Sequence, residues 1–269
     1  LLASGEDAQL LQAKRIFHAE GSEKGAVTVA IAEAVHPLAP KTGELHLIGS
    51  GPGSLQLLTA DAREALSRCI LWVGYGLYLD LLEPLRRCDQ VRLDGQLTRE
   101  RDRCWQALDL ARQGARVALI SSGDSGIYGM AGLALQLWMD LPETERPQFQ
   151  VHPGLSALQL AAARAGAPLM HDFCTISLSD RLTPWEVIER RIEAAAAGDF
   201  VVALYNPRSR ERDWQLAKAM EILLCARPMT TPVVMARQLG RSDEQVSIHN
   251  LGNLRPEDVD MLTVLVIGN

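Results

Sequence analysis

Apolar and polar positions alternate in two repeating patterns along most of the chain. Short apolar runs predict buried strands, and stretches of about 10–15 residues with helical apolar spacing predict helices between them. Strands that alternate with such helices are typical of an α/β architecture with largely parallel sheets. The predicted strands cover residues 26–31, 44–48, 70–73, 116–121, 149–151, 200–204, 232–236, 246–248 and 262–267.

Capping residues support several of the predicted helices. Thr59 and Thr183 are predicted N-caps, Pro184 suits the first helical position, and Gly114 follows a helix end. The predicted helices cover residues 10–17, 59–69, 99–113, 156–165, 183–197 and 210–224. The helix at 99–113 is predicted to bury Trp105, Leu108 and Ala111 on its apolar face.

The domain organisation follows from two breaks in this pattern. Residues 36–43 form a proline-punctuated linker, so residues 1–43 are interpreted as an N-terminal extension or the tail of a preceding domain. A second break falls near Pro153 and Gly154. We therefore expect an N-terminal α/β domain over residues 44–153 and a C-terminal α/β domain over residues 154–269.

Composition narrows the functional classes. The chain has 269 residues, a net charge of −6 and 47% hydrophobic residues, which excludes a disordered chain. No apolar run reaches the ~18 residues of a membrane helix, and the acidic balance disfavours nucleic-acid binding. The five cysteines stand alone, which predicts buried free thiols in a reducing cytoplasm and no metal site.

Three glycine-rich or polar loops follow predicted strands, where α/β sheets bind ligands. The loop at 49–53 departs from a dinucleotide fingerprint, because Pro52 has no N–H and Ser54 replaces a glycine. The loop at 121–129 either brings backbone N–H and C=O groups against a ligand or is a tight turn in which Asp124 caps the next helix. The loop at 205–210 either binds a polar ligand or leads into a helix with a solvated basic face.

Several motifs in order resemble the tetrapyrrole methylase family. The shared segments are LIGSGPG at 47–53, LT at 58–59, SGDSGIYG at 122–129, PGLSA at 153–157 and YNP at 205–207. The resemblance implies two α/β domains with S-adenosylmethionine (SAM) bound in the cleft between them. It also implies transfer of the SAM methyl group to a carbon of a tetrapyrrole, with S-adenosylhomocysteine as product, and a homodimer.

The resemblance carries site residues onto matching positions. The implied cofactor-binding residues are Pro52, Gly123, Asp124, Ile127, Ser156, Ala157, Tyr205, Asn206 and Leu239, with Gln238 as the alternative to Leu239. Asp180, His152 and Asp124 are candidate acid–base residues, although a cap or turn role for Asp180 and a structural hydrogen bond for His152 are alternatives. Candidate anchors for substrate carboxylates are Arg181, Arg208 and Arg237, with Arg210 also in a suitable loop.

Further segments narrow the implied reaction. DF at 172–173, ISLSD at 176–180, LTPW at 182–185 and ALYNP at 203–207 are similar to members that methylate carbon 17 of precorrin-3B with ring contraction. Methylation at carbon 11 or 20 stays open, as do an NAD-dependent oxidoreductase and a non-catalytic tetrapyrrole carrier. Whether the substrate carries cobalt also stays open.

The N-terminal segment resembles a different protein. AVTVAIA at 26–32 is similar to the end of a cobalt-precorrin-5A hydrolase domain. Because the chain lacks an initial methionine, we expect a fragment of a fusion between enzymes of one pathway. A simple N-terminal extension is the alternative.

Overall fold

A computed structural model describes residues 13–19, 27–32, 42–96, 99–209 and 211–269. The chain divides into two compact units, Leu1–Leu155 and Ser156–Asn269. Near the N-terminus, strands β1 (Ala13–Ala19) and β2 (Val27–Ala32) pair antiparallel in a two-stranded sheet. The strand β1 overturns the predicted helix at 10–17, while β2 agrees with the predicted strand. The predicted linker at 36–43 lies outside the described residues except for its last two positions.

The first unit is built on a fully parallel five-stranded sheet. Its strands lie in the order β5-β4-β6-β3-β7, and helices pack on both faces. In chain order the elements are β3 (Glu44–Gly49), α1 (Ala60–Arg68), β4 (Leu71–Tyr75), α2 (Gly76–Leu82), β5 (Val91–Gly95), α3 (Glu100–Arg112), β6 (Arg116–Ser121), α4 (Ala131–Met139) and β7 (Gln148–His152).

The second unit contains a mixed five-stranded sheet in the order β11-β10-β12-β9-β8. Only β8 and β9 pair parallel, because β12 lies antiparallel between β9 and β10 and β11 pairs antiparallel with β10. The prediction of largely parallel sheets therefore holds for the first unit alone. The elements are α5 (Ala157–Arg164), β8 (Phe173–Ser177), α6 (Trp185–Ala197), β9 (Val201–Tyr205), α7 (Gln215–Leu224), β10 (Pro232–Arg237), β11 (Gln245–Asn250) and β12 (Thr263–Ile267).

Several local expectations change. Trp105 is 46% exposed, because the buried stripe of α3 follows Cys104, Leu108 and Ala111, and Trp105 lies to its side. The N-cap of α6 is Pro184 rather than Thr183, and α7 begins at Gln215 rather than near residue 210. The elements α2, α4, β5 and β8 were not expected. Cys88 and Cys225 are exposed, so the five free thiols are not all buried.

The N-cap of α1 ties the helix to the β7 end. The Thr59 hydroxyl accepts a hydrogen bond from the Ala62 N–H at 3.1 Å and donates one to the Pro153 carbonyl at 3.0 Å. We expect Thr59→Ala to lower the free energy of unfolding by about 1–2 kcal/mol, because both bonds are lost. Thr59→Ser keeps both bonds and is the control in urea unfolding. Equal stability of Thr59→Ala and Thr59→Ser would contradict the capping role.

Among the described residues, no helix is long and apolar enough to cross a membrane.

Candidate functional site

Three loops of the first unit begin at one edge of the parallel sheet. Gly49 at the end of β3 lies opposite Ser121 at the end of β6, and Ile48 lies opposite His152 at the end of β7. The loops after β3 and β6 are then joined by two backbone hydrogen bonds. The Gly51 N–H donates to the Gly123 carbonyl at 3.1 Å, and the Gly123 N–H donates to the Gly51 carbonyl at 2.8 Å.

Glycines allow these loops to approach each other at backbone distance. A Cβ on Gly154 would lie 2.1 Å from the Gly123 oxygen, and one on Gly49 would lie 2.6 Å from the Gly154 nitrogen. Gly51 and Gly123 both have positive φ angles, 73° and 67°, which residues other than glycine rarely adopt. We call this contact of Gly49, Gly51, Gly123 and Gly154 the glycine cradle.

Asp124 organises the cradle through backbone N–H groups. Its Oδ1 accepts from Gly126 at 2.8 Å and from Ile127 at 3.2 Å, and its Oδ2 accepts from Gly154 at 3.0 Å. The first two bonds form a tight Asx turn, but Asp124 does not cap the next helix as expected, because α4 begins at Ala131 with Met130 as its N-cap. The third bond joins loops 30 positions apart in the chain. Both carboxylate oxygens of Asp124 therefore accept hydrogen bonds from backbone N–H groups.

The predicted cofactor residues of the first unit lie on this cradle. Pro52 is buried directly after Gly51, and Gly123 and Asp124 form the joined loop. Ile127 is 41% exposed at the loop tip, where its neighbour Tyr128 is 48% exposed and has a φ of +53°. The structure thus brings Pro52, Gly123, Asp124 and Ile127 onto two loops that are bonded to each other.

The start of α5 is held by two side chains. Ser156 and Gln159 form a capping box, in which the Ser156 hydroxyl accepts from the Gln159 N–H and the Gln159 amide accepts from the Ser156 N–H. The Tyr205 hydroxyl accepts from the Leu158 N–H at 2.9 Å. Ser156 and Ala157 from one motif and Tyr205 from another therefore meet at one helix N-terminus.

Asn206 turns the chain after β9. Its φ is +50°, and its side-chain amide donates to the Ser177 hydroxyl at 3.0 Å, which joins the ends of β8 and β9. Gln238 also has a φ of +50°, and Leu239 after it is buried. Because β9 and β10 both run antiparallel to β12, these two turns lie at the same edge of the sheet.

The predicted arginines mostly have partners. Arg181 pairs with Glu211 at 2.9 Å, Arg237 pairs with Asp260 at 2.6 Å, and Arg208 donates to the Pro256 carbonyl at 3.4 Å. Arg210 lies outside the described residues. An exposed ion pair leaves an arginine available to a ligand only after exchange of its partner.

Arg212 is a buried cation beside Asn206 that the sequence analysis missed. Arg212 is 4% exposed, and its guanidinium donates to the Asn206 carbonyl at 2.8 Å and lies 3.7 Å from the Met261 sulfur. Within the described residues no carboxylate forms an ion pair with it. Burial lowers the pKa of Arg212, and the nearby charge of Asp180 raises it. The YNP motif identified only the loop that follows β9. No local sequence pattern predicted that Arg212 is buried.

Asp180 accepts a hydrogen bond from the buried Gln215 amide at 2.8 Å. This bond fixes one carboxylate oxygen near Arg212 without neutralising Arg212 directly. The bond joins positions 35 apart in the chain, so it is not a local turn, and both the turn role and the acid–base role of Asp180 stay predictions.

His152 is buried, and both of its ring nitrogens have partners. Its Nδ1 lies 2.7 Å from Asp61 Oδ2, and its Nε2 lies 2.9 Å from His46 Nδ1. This arrangement fits the structural alternative, and direct catalysis by His152 stays a prediction.

Among the described residues, no group of three or more histidine, cysteine or acidic residues is placed to hold a metal ion.

Comparison with known proteins gives one family. The model of the tetrapyrrole (corrin/porphyrin) methylases matches residues 44–255. The chain is 46% identical over 225 residues to the probable cobalt-factor III C(17)-methyltransferase of Salmonella typhimurium, covering 84% of this chain and 92% of the relative. It is 42% identical over 229 residues to the precorrin-3B C(17)-methyltransferase of a Sinorhizobium species, covering 85% of this chain and 89% of the relative.

Solved structures share the fold. The methyltransferase CobJ superposes with a TM-score of 0.79 at 36% identity, covering 85% of this chain and 95% of that structure. The uroporphyrin-III C-methyltransferase of Thermus thermophilus, solved with S-adenosylhomocysteine, superposes with a TM-score of 0.65 at 19% identity, covering 84% and 98%. The second structure, at 19% identity, shows that a remote relative has the same fold.

Proposed function

The chain belongs to the tetrapyrrole methylase family, and on that premise we propose that it transfers a methyl group from SAM to carbon 17 of precorrin-3B or its cobalt form, with ring contraction. The observation that carries this proposal is the similarity, above 40% identity, to two carbon-17 methyltransferases over most of both chains. One of these relatives is named for a cobalt substrate and the other for precorrin-3B, so the chain's own metal preference is decided by experiment.

Two backbone-rich regions support SAM as the methyl donor. When bound, SAM supplies an electrophilic methyl group on a sulfonium sulfur. The glycine cradle brings the loops after β3, β6 and β7 together at backbone distance, and the bond from the Gly154 N–H to Asp124 fixes the third loop to the second. Within the second unit, the α5 N-terminus and the Asn206 turn carry the other residues that the family resemblance assigns to SAM. Because the reacting carbon attacks the methyl in line with sulfur, rigid loops contribute by orienting the reactants.

Calorimetry separates this function from a dinucleotide enzyme. We expect saturable binding of SAM and of S-adenosylhomocysteine and no binding of NADH, since Pro52 and Ser54 break the dinucleotide fingerprint. Binding of NADH with none of SAM would reverse the assignment. Binding of SAM and tetrapyrrole without turnover would favour the carrier.

Arg212 is the proposed anchor for a substrate carboxylate. A buried guanidinium without an ion pair is stabilised by an incoming anion, and the tetrapyrrole carries several carboxylates. We expect Arg212→Met to raise the KM for tetrapyrrole by about 10–100-fold, which corresponds to about 1.4–2.7 kcal/mol. Steady-state kinetics at saturating SAM measures it.

Arg191→Met is the matched control, because Arg191 is exposed on α6 and has no proposed role at the site. We expect it to change KM less than three-fold. Equal effects of the two substitutions, or a change in SAM affinity alone in Arg212→Met, would contradict the assignment of Arg212 to the tetrapyrrole.

Dimer formation is proposed from the family resemblance, and sedimentation velocity of the purified chain tests it.

A further inference from the structure

A continuous chain of hydrogen bonds crosses one face of the parallel sheet. Asp61 Oδ2 lies 2.7 Å from His152 Nδ1, His152 Nε2 lies 2.9 Å from His46 Nδ1, and His46 Nε2 lies 2.9 Å from Glu44 Oε2. Arg116 donates to both Glu44 oxygens at 2.9 and 2.8 Å. His46 is 0% exposed and His152 is 5% exposed. We call these four carboxylate and imidazole groups the histidine chain.

Counting protons shows that the histidine chain holds one proton more than two neutral imidazoles. Carboxylates accept hydrogen bonds at neutral pH, so His152 Nδ1 and His46 Nε2 must both carry hydrogen. The bond between the two rings needs one further hydrogen. Three protons on four ring nitrogens make one imidazolium and one neutral imidazole. Together with Arg116, this cation balances the two carboxylates.

The surroundings favour a neutral His46. Burial lowers the pKa of His46, the hydrogen bond and charge of Glu44 raise it, and Arg68 lowers it. Burial raises the pKa of Glu44, but its bonds to Arg116 and His46 bring it below the usual value. Burial raises the pKa of the neighbouring Cys69 to about 12, so that thiol stays neutral. The net effect lowers the pKa of His46, which disfavours a charged ring at that position.

The histidine chain ends at the loop that completes the glycine cradle. His152 is followed directly by Pro153 and Gly154. The Pro153 carbonyl accepts from the Thr59 hydroxyl, two residues before Asp61, and the Gly154 N–H donates to Asp124. The contact between His152 and Asp61 therefore fixes the end of β7 to α1 at the point where Gly154 meets Gly49 and Gly123.

We propose that His46 and His152 are positioning residues that hold one shared proton and thereby fix the Pro153–Gly154 turn for SAM binding. This inference rests on the proposed function for its SAM readout. Loss of the third proton leaves one of the three hydrogen bonds unmade. A fourth proton sets two N–H groups against each other between the rings. SAM affinity is then greatest in a window of pH and falls on both sides.

Nitrogen-15 NMR of histidine-labelled protein without SAM counts the protons directly. At neutral pH we expect three of the four ring nitrogens of His46 and His152 to be protonated, assigned by comparison with His46→Leu and His152→Asn. Two protonated nitrogens, one on each ring, would overturn the proposal. Because this measurement needs no ligand, its failure is distinguishable from a failure of the proposed function.

Calorimetry of SAM binding between about pH 5.5 and 9 gives the second readout. We expect His46→Leu to weaken binding about five- to ten-fold at neutral pH and to flatten the pH dependence, because a lone His152 no longer needs the extra proton. His171→Asn, an exposed position in the second unit, is the control and keeps the wild-type profile. An unchanged profile in His46→Leu would overturn the positioning role. If His46→Leu does not fold, His46→Gln, which keeps a polar group, replaces it under the same criterion.

Discussion

Gly154→Ala is expected to weaken SAM binding by about 100-fold, or about 2.7 kcal/mol. The added Cβ would lie 2.1 Å from the Gly123 oxygen and 2.6 Å from the Gly49 oxygen. Both neighbours are backbone atoms, so neither relieves the contact by a change of side-chain rotamer. The turn at Pro153–Gly154 must move away from the cradle, which also breaks the bond from the Gly154 N–H to Asp124. Titration calorimetry with SAM and with S-adenosylhomocysteine measures the loss.

Gly132→Ala is the matched control. Gly132 lies on α4, and a Cβ there would meet no atom within 4 Å. We expect unchanged SAM affinity and a gain of about 0.5–1 kcal/mol in stability, because alanine favours helix more than glycine. Circular dichroism reports whether Gly154→Ala keeps its fold. If a folded Gly154→Ala variant binds SAM with wild-type affinity, the glycine cradle is not part of the SAM site.

Asp124→Ala is expected to have the second-largest effect. It removes the acceptor for the Gly126, Ile127 and Gly154 N–H groups at once. We expect about 1–3 kcal/mol less stability of the first unit, because the part-buried Gly154 N–H loses its partner while the Gly126 and Ile127 donors are exposed, and SAM binding weakened by more than about 30-fold. Urea unfolding and calorimetry measure the two quantities.

Asp124→Asn separates positioning from acid catalysis. An asparagine oxygen still accepts from Gly126 and Ile127, but its NH₂ group faces the Gly154 N–H. We therefore expect an intermediate loss of SAM affinity for Asp124→Asn, between wild type and Asp124→Ala. A general acid would behave differently. Equal loss of kcat in both variants with unchanged SAM affinity would contradict the positioning role.

The sequence correctly predicted structural features that depend on residues close together in the chain. Thr59 was correctly predicted as the N-cap of α1, and the strand at Arg116–Ser121 has the predicted bounds. The Asx turn of Asp124 was one of the two alternatives. These features depend on residues within a few positions of each other, so spacing alone reveals them.

Other features depend on residues that are distant in the chain. The bond between Asp124 and Gly154 spans 30 positions, and the one between His46 and His152 spans 106. The burial of Arg212 and the antiparallel insertion of β12 between β9 and β10 also arise only from tertiary packing. The strand β1 was predicted as a helix because its short apolar pattern suits either element. No local pattern distinguishes these arrangements from their alternatives.

The most direct test of the account is turnover of purified chain with SAM and either precorrin-3B or its cobalt form, followed by mass spectrometry and absorption spectroscopy of the product. The account predicts a product with one additional methyl group at carbon 17 and a contracted ring, together with one S-adenosylhomocysteine per turnover. A faster reaction with one substrate form decides the metal preference. Methylation at carbon 11 or 20, or bound tetrapyrrole recovered unchanged with intact SAM, would contradict the account.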